Sequence, residues 1–246
     1  MSVGLVMPMA GRGSRFVLEG ISEPKPLIDL GGKPFFWWAV ESLRRATKVE
    51  EMVFVVLEDH EKDFDISSRI HRYYPDAKVI CIPDVTSGSA ETASIGLEAI
   101  KGSGPVAIND CDHAFIAEGL DQTLTALEGG SAAALLSFRS SNPGFSYVQL
   151  DGKDRVCGTI EKQVASPFAI AGCYLIQSAS VFQRHYRSYR EFWAYSELFI
   201  SGIYNEMLRE SQTIELNVLK EHFPFGTPEE YRAIREPMLE RLKEWA

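Results

Sequence analysis

No two cysteines stand at C-x-x-C spacing. Cys81, Cys111, Cys157 and Cys173 are scattered, so the usual ligand set of a zinc site is lacking. Three of the four sit in strand-like runs, where a buried free thiol is expected, and unpaired thiols predict a reducing compartment. No run of about 18 apolar residues occurs, so no membrane-spanning helix is expected. The amino-terminal segment has no charged leader and its apolar run breaks at Gly11, which predicts a cytoplasmic protein with no membrane partner. Positive charge is in deficit: 25 Lys and Arg stand against 34 Asp and Glu, a net charge of −9. That balance argues against a nucleic-acid partner, which would want a basic patch. An anionic ligand must then be held by a local cluster of cations and metal. Pro/Gly/Ser linkers, repeats and low-complexity tracts are absent too. A single α/β domain over residues 1–246 is the economical organisation.

What is present begins with an apolar strand, Val3–Met7, that runs into Met7-Pro8-Met9-Ala10-Gly11-Arg12-Gly13-Ser14-Arg15-Phe16. Glycines permit positive φ and close backbone approach, and successive N–H groups in such a turn can cradle phosphate oxygens. The dinucleotide fingerprint fails, because Phe16 stands where its third glycine belongs, and no phosphate loop ending in Gly-Lys-Ser/Thr occurs. Arg15, and Lys25 in Pro24-Lys25-Pro26-Leu27, supply positive charge beside the turn. The candidate nucleotide site is therefore Met9, Ala10, Gly11, Gly13, Ser14 and Arg15.

The first half alternates strands (Val3–Met7, Met52–Leu57, Lys78–Ile82, Pro105–Asn109) with helices (Pro34 to Ala46, His60 to Tyr74, Ala90 to Lys101). This pattern implies a parallel sheet with crossover helices. The second half reads as strands Ala132–Phe138, Ser146–Leu150, Val156–Ile160 and Ala169–Ile176, with a turn at Asp151-Gly152. Helices follow at about Ser178–Arg187, Ser196–Arg209 and Pro228–Lys243. The expected fold is α/β, a Rossmann-like, mixed, mostly parallel sheet flanked by helices. About 1–115 would form a nucleotide-binding half and about 116–246 an acceptor-binding half. Ligands of such sheets bind at the carboxyl ends of the strands, which gathers the loops after Met7, Ile82 and Asn109 on one rim.

The third of these loops reads Asn109-Asp110-Cys111-Asp112-His113. Two carboxylates ending a buried strand are costly unless paired or metal-bound, and Asp oxygens suit Mg²⁺. Asp112 and Asp110 are both candidates, beside the plainer alternative of a helix cap and a turn acid. In the second loop, Ser87 or Ser89 would cap the following helix. Thr227-Pro228-Glu229-Glu230 reads as a helix start, with Thr227 as cap and Pro228 in the first turn. His60, His71, His185 and His222 show no ligand spacing, and His113 is placed to orient an aspartate. Phe35-Phe36-Trp37-Trp38 reads as core and interface packing; Tyr186 to Tyr195 could line an acceptor site or a dimer contact.

Gly11, Gly13 and Arg15 followed by Pro24-Lys25-x-Leu27, then Leu30-Gly31-Gly32-Lys33-Pro34, resemble the signature of the sugar-phosphate nucleotidyltransferases. The likeness is greatest to small members that supply precursors of capsule or cell-surface polysaccharides. Gly158-Thr159-Ile160-Glu161-Lys162, Ala171-Gly172-Cys173-Tyr174 and Gly226-Thr227-Pro228-Glu229 extend it to about residue 231. The resemblance implies the nucleotide-diphospho-sugar transferase fold and attack of an acceptor phosphate on a nucleoside triphosphate with release of pyrophosphate. It implies Mg²⁺ on Asp112 or Asp110, catalytic roles for Arg15, Lys25 and Asp112, base contacts from Gly88 and Thr92, and acceptor contacts from Glu161, Lys162 and Gly172. A pyrimidine nucleotide (CTP, UTP or dTTP) and a sugar 1-phosphate are expected, with a phosphocholine-like acceptor as the alternative, and a homodimer is the default assembly. Relatives carry a second metal-binding acid where this chain has Ile200-Ser201-Gly202 or Phe223-Pro224-Phe225; Glu197 or Glu221 could substitute. Two rival readings remain: a glycosyltransferase using Asp110-Cys111-Asp112 as D-x-D, and a catalytically silent nucleotide-binding subunit.

Overall fold

Apolar residues at alternate positions of long strands bury both faces of one sheet here, and helices cover each face. The computed structural model describes residues 1–192, 195–234 and 236–243. Its strands are β1 (Ser2–Pro8), β2 (Asp29–Leu30), β3 (Lys33–Pro34), β4 (Lys48–Leu57), β5 (Lys78–Ile82), β6 (Val106–Asn109), β7 (His113–Ile116), β8 (Ala133–Arg139), β9 (Tyr147–Leu150), β10 (Val156–Ile160), β11 (Phe168–Ile176), β12 (Ile214–Val218) and β13 (Glu221–Pro224). Its helices are α1 (Ser14–Leu18), α2 (Phe35–Ala46), α3 (Glu58–Phe64), α4 (Ile66–His71), α5 (Ser89–Leu97), α6 (Leu120–Glu128), α7 (Ala179–Phe192), α8 (Ile200–Arg209), α9 (Pro228–Ala233) and α10 (Glu236–Lys243).

The main sheet is mixed, in the order β10-β9-β11-β6-β1-β4-β5, with β8 branching from β11 and β12 pairing with β8. β5, β4, β1 and β6 run parallel. β11 runs antiparallel to β6, β8 and β9. Leu5 and Met7 face a core with α2, α4 and α6, while Val6 faces a second core with α5, α7 and α8. Phe35, Phe36, Trp37 and Trp38 are all buried, and each such side chain contributes about 2 kcal/mol of burial.

The strands of the first half lie where periodicity puts them. The helix expected over His60 to Tyr74 is two helices, because Asp65 takes a left-handed conformation (φ 51°) and breaks it; a short polar side chain tolerates that geometry. The helices expected at Ser196 and at Pro228 begin at Ile200 and break between α9 and α10, where residue 235 lies outside the described residues. Trp193 and Ala194 of the aromatic stretch also lie outside them. β2, β3, β7, β12 and β13 are not among the expected strands: β2 and β3, of two residues each, are too short for period two to show, while β7, β12 and β13 pair with segments distant in the chain. Two of the strand cysteines are corrections. Cys111 and Cys173 are buried, but Cys81 and Cys157 are exposed, because β5 and β10 are the two edge strands of the main order. All four are free thiols. Among the described residues no helix is long and apolar enough to cross a membrane.

Candidate active site

The carboxyl ends of β1, β5 and β6 open on one cleft of about 1370 Å³. Every residue selected from the sequence as a site candidate, from Met9 to Gly172, lines it. Gly13 holds a left-handed conformation (φ 62°) at the start of α1. A Cβ on Gly11 would meet no protein atom within 4 Å, so the fold leaves that position open to the cleft. Phe16 anchors the turn: its ring lies 5.9 Å from Phe35 and 6.3 Å from Tyr231, and Phe35 lies 4.6 Å from Phe225. This aromatic group ties the glycine turn, α2 and the Gly226-Thr227-Pro228 segment together. Lys33, of the adjoining motif, lies 4.8 Å over Trp37 and 5.2 Å over Tyr73 and does not line the cleft.

Lys25 and Asp112 meet across the cleft, Nζ to Oδ2 at 2.6 Å. Burial opposes charge on both groups, yet their mutual attraction outweighs it, so the lysine pKa is raised and the Asp112 carboxyl is held below its ordinary value. Asp110 is the opposite case. Burial and the neighbouring Asp112 charge raise its pKa, and Lys25 offsets only part of that. Gly172 explains how Asp110 fits. It sits in an irregular stretch of β11 between Ile170 and Tyr174 with φ 76°. Its carbonyl accepts from Asp110 N at 2.8 Å, and a Cβ there would fall 2.8 Å from Asp110 Oδ2. Gly226 does the same for Asp112, where a Cβ would fall 2.4 Å from Oδ2. Phe225 N donates to Asp112 O at 3.0 Å.

Arg15 is exposed on the cleft wall and makes no ion pair among the described residues. Arg12 instead bridges to Asp84 (2.7 Å), linking the glycine turn to the loop after β5. In that loop neither Ser87 nor Ser89 caps α5; the N-cap residue is Gly88 and no side chain caps it. Gly88 lines the cleft, but its lack of a Cβ is required by the Leu198 backbone, which a Cβ would approach to 2.5 Å. Thr92 pairs its hydroxyl with Thr86 Oγ1 at 2.7 Å.

Lys162 has φ 52° and extends over the Phe199 ring at 5.4 Å. Glu161 accepts from Ser146 Oγ at 2.6 Å and from Ser201 Oγ. Of the two substitute acids, Glu197 lines the cleft, whereas Glu221 is paired with Arg241. The expected cap at Thr227 is present as a full capping box with Glu230, and Pro228 sits at the helix start.

Three features escaped sequence reading. His222, remote in sequence, lies 3.1 Å from His113 Nδ1, and His113 Nε2 lies 2.9 Å from Asn109 Oδ1. The Asn109 amide nitrogen donates to Ala39 O, so its oxygen accepts and His113 carries its proton on Nε2. His113 is thus engaged by Asn109 and His222, not by an aspartate. Glu230 lines the cleft; burial and the Asp112 charge raise its pKa. The two serine hydroxyls on Glu161 are the third. Only the β7–β13 pairing brings His222 to His113, and no local pattern encodes it.

For a divalent cation, the donor chemistry fits. Mg²⁺ takes one or two carboxylates and completes its shell with water and phosphate oxygens. Asp110 and Asp112 offer hard oxygens, and the Lys25 ammonium occupies a cation's place at Asp112 Oδ2. No group of three or more acid, thiol or imidazole side chains forms a closed cage among the described residues.

Residues 6–147 match the model of the MobA-like NTP transferase domain. A 2-C-methyl-D-erythritol 4-phosphate cytidylyltransferase of Clostridium acetobutylicum is 27% identical over 119 residues, 47% of this chain and 48% of that protein; the match thus spans about half the length of that curated relative. Among solved structures, a nucleoside-diphosphate-sugar pyrophosphorylase from Vibrio cholerae RC9 superposes with a TM-score of 0.80 at 23% identity, over 93% of this chain and 98% of that one. The inositol-1-phosphate CTP transferase of T. maritima gives 0.76 at 14% identity, over 100% and 96%. These likenesses extend the fold over the second half of the chain, beyond the family match.

Proposed function

This chain belongs to the MobA-like NTP transferase domain family, and from that premise we propose that it joins a nucleoside triphosphate to a phosphorylated small molecule and releases pyrophosphate. The observation that carries the reading is the meeting of Lys25 with Asp112, 2.6 Å apart, beside the open Gly11 turn. One side of the cleft offers backbone and cations to a triphosphate; the other offers carboxylates and Lys162.

An oxygen of the acceptor phosphate attacks the α-phosphorus in line, a new P–O bond forms, and the bond to the β-phosphate bridging oxygen breaks. The acceptor oxygen is already anionic, so no protein nucleophile or base is needed, and catalysis is positioning plus charge stabilisation. Arg15 holds the departing phosphates. Lys25, released from Asp112, takes the charge growing on the α-phosphate. Lys162 holds the acceptor phosphate as a point charge. Mg²⁺, held by Asp112 and Asp110, would supply electrostatic neutralisation of the phosphate oxygens.

The nucleotide is a pyrimidine triphosphate, with CTP first, in line with the cytidylyl- and CTP-transferase activities of two of the similar proteins. The acceptor is a sugar 1-phosphate or a comparable small phosphate, and the product an activated precursor for cell-surface polysaccharide, made in the cytoplasm.

The test is a pyrophosphate-release screen of CTP, UTP, dTTP, ATP and GTP against phosphorylated metabolites. Expected is Mg²⁺-dependent release with one triphosphate favoured, falling about 10²–10³-fold in Arg15→Ala or Asp112→Asn. Near-normal turnover in both variants overturns these roles. Nucleotide binding without product would make the chain a silent subunit, and release of a nucleoside diphosphate from a nucleotide-sugar would make it a glycosyltransferase.

A further inference from the structure

Ser201 stands in the segment that lacks a carboxylate, Ile200-Ser201-Gly202, and its hydroxyl does not cap its own helix. No side chain caps α8. The hydroxyl instead donates to Glu161 Oε1, while Ser146, just before β9, donates to Glu161 Oε2 at 2.6 Å. Ser201 is buried, 1% exposed.

The clasp rests on a rigid base. Asn205, one turn along α8, holds the Thr159 backbone from both sides: Thr159 N donates to its Oδ1 at 2.8 Å and its Nδ2 donates to Thr159 O at 3.0 Å. Thr159 Oγ1 donates to Ser201 O at 2.8 Å. The start of α8 is therefore stitched to the end of β10, two residues before Glu161. No lysine or arginine pairs with Glu161 among the described residues, and the adjacent Lys162 is turned over Phe199. A carboxylate has about four lone-pair positions; the serines occupy two, one on each oxygen, and Glu161 lines the cleft with the rest.

We propose that Ser146 and Ser201 are positioning residues that fix the Glu161 carboxylate in the acceptor half of the cleft. This rests on reading the cleft as a nucleotidyltransferase site.

The experiment has two arms. In crystal structures of the Ser146→Ala/Ser201→Ala double variant, the Glu161 carboxylate is expected to leave its place while the Thr159–Asn205 pair stays. A Glu161 side chain unmoved in that variant overturns the clasp. In the kinetic arm the probes are CTP and Mg²⁺ with glucose 1-phosphate, which offers hydroxyls, or phosphoethanolamine, which offers an ammonium. With the better probe, Ser201→Ala is expected to raise the acceptor KM roughly tenfold, the scale of lost supporting contacts. The CTP KM should stay unchanged. In a Glu161→Ala background the same substitution should add nothing. An unchanged acceptor KM, an equal rise for CTP, or a rise that persists without Glu161 overturns the proposal. Turnover of neither probe counts against the proposed function, and the crystallographic arm still decides the clasp.

Discussion

Lys25 Nζ and Asp112 Oδ2, 87 positions apart in the chain, lie 2.6 Å from each other. Each is the other's only ion-pair partner among the described residues, with 28% and 22% of their side chains exposed. The ammonium therefore holds the place that a cation would take.

Lys25→Met should uncover Asp112. Titrated with Mn²⁺ in the absence of nucleotide, the wild type is expected to bind weakly and Lys25→Met more tightly, while Asp112→Asn binds least. Stability should move the other way. Removing one partner of a mostly buried pair strands the other, and with partial solvent screening the cost is about 2 kcal/mol, readable as a lower urea midpoint. Equal Mn²⁺ affinity in wild type and Lys25→Met would show that the lysine does not guard the carboxylate.

Two glycines should separate ligand from scaffold. Gly11→Ala adds a methyl that meets no protein atom, so Tm should hold within a few degrees while the nucleotide KM rises at least tenfold. Gly226→Ala pushes on the Asp112 carboxylate, 2.4 Å from the new Cβ, and should lower kcat more than it raises the nucleotide KM. A Gly11→Ala enzyme with unaltered nucleotide KM would remove the turn from the binding site.

Desolvation holds three histidines neutral, the buried His113 and His60 and the half-buried His222: His113 is lowered to about 4 and the other two from the ordinary value. In the unfolded chain each takes its proton near pH 6.5. Below about 6.5 the unfolded state binds more protons at each of them, so each histidine lowers stability as pH falls, by up to about 1.4 kcal/mol per unit; for His113 the window closes near 4. Asp110, raised to about 7, works in the opposite sense, since from there down to about 4 the folded state binds its proton more readily than the unfolded one. The measurement is therefore a difference. With EDTA present, the urea midpoint of wild type should fall more steeply below pH 6.5 than that of His222→Gln. Parallel slopes would mean that His222 charges freely in the folded state.

Thr227→Ala should cost about 1 kcal/mol, the worth of an N-cap, since the capping box at α9 loses its hydroxyl. The same change slackens the segment whose Phe225 N holds Asp112 O, so a small loss of kcat should accompany the Tm shift.

Much of this site was legible because its parts are local. The Gly11-to-Arg15 turn and Asp110 with Asp112 follow β1 and β6 within a few residues, strand ends of a parallel sheet share a rim, and Lys25 stands in the compact Pro24-Lys25-x-Leu27 motif. The parts that were not legible depend on pairing between distant segments. His222 reaches His113 through the β7–β13 ribbon, and Ser146 and Ser201 meet on Glu161 from separate elements. The exposed thiols of Cys81 and Cys157 were misread for a related reason. Apolar alternation marks a strand but does not say that the strand lies at a sheet edge.

β11 pairs with β6 over Cys173–Ile176, with β9 at Ala169 and with β8 at both its ends, so a single stretch of backbone underlies both walls of the cleft. Two walls carried on one beam do not swing apart or together like jaws. Adjustment around a substrate falls to what stands above the beam, chiefly the segments at 9–16 and 83–89, and amide exchange on adding nucleotide should slow there while β11 stays as protected as before.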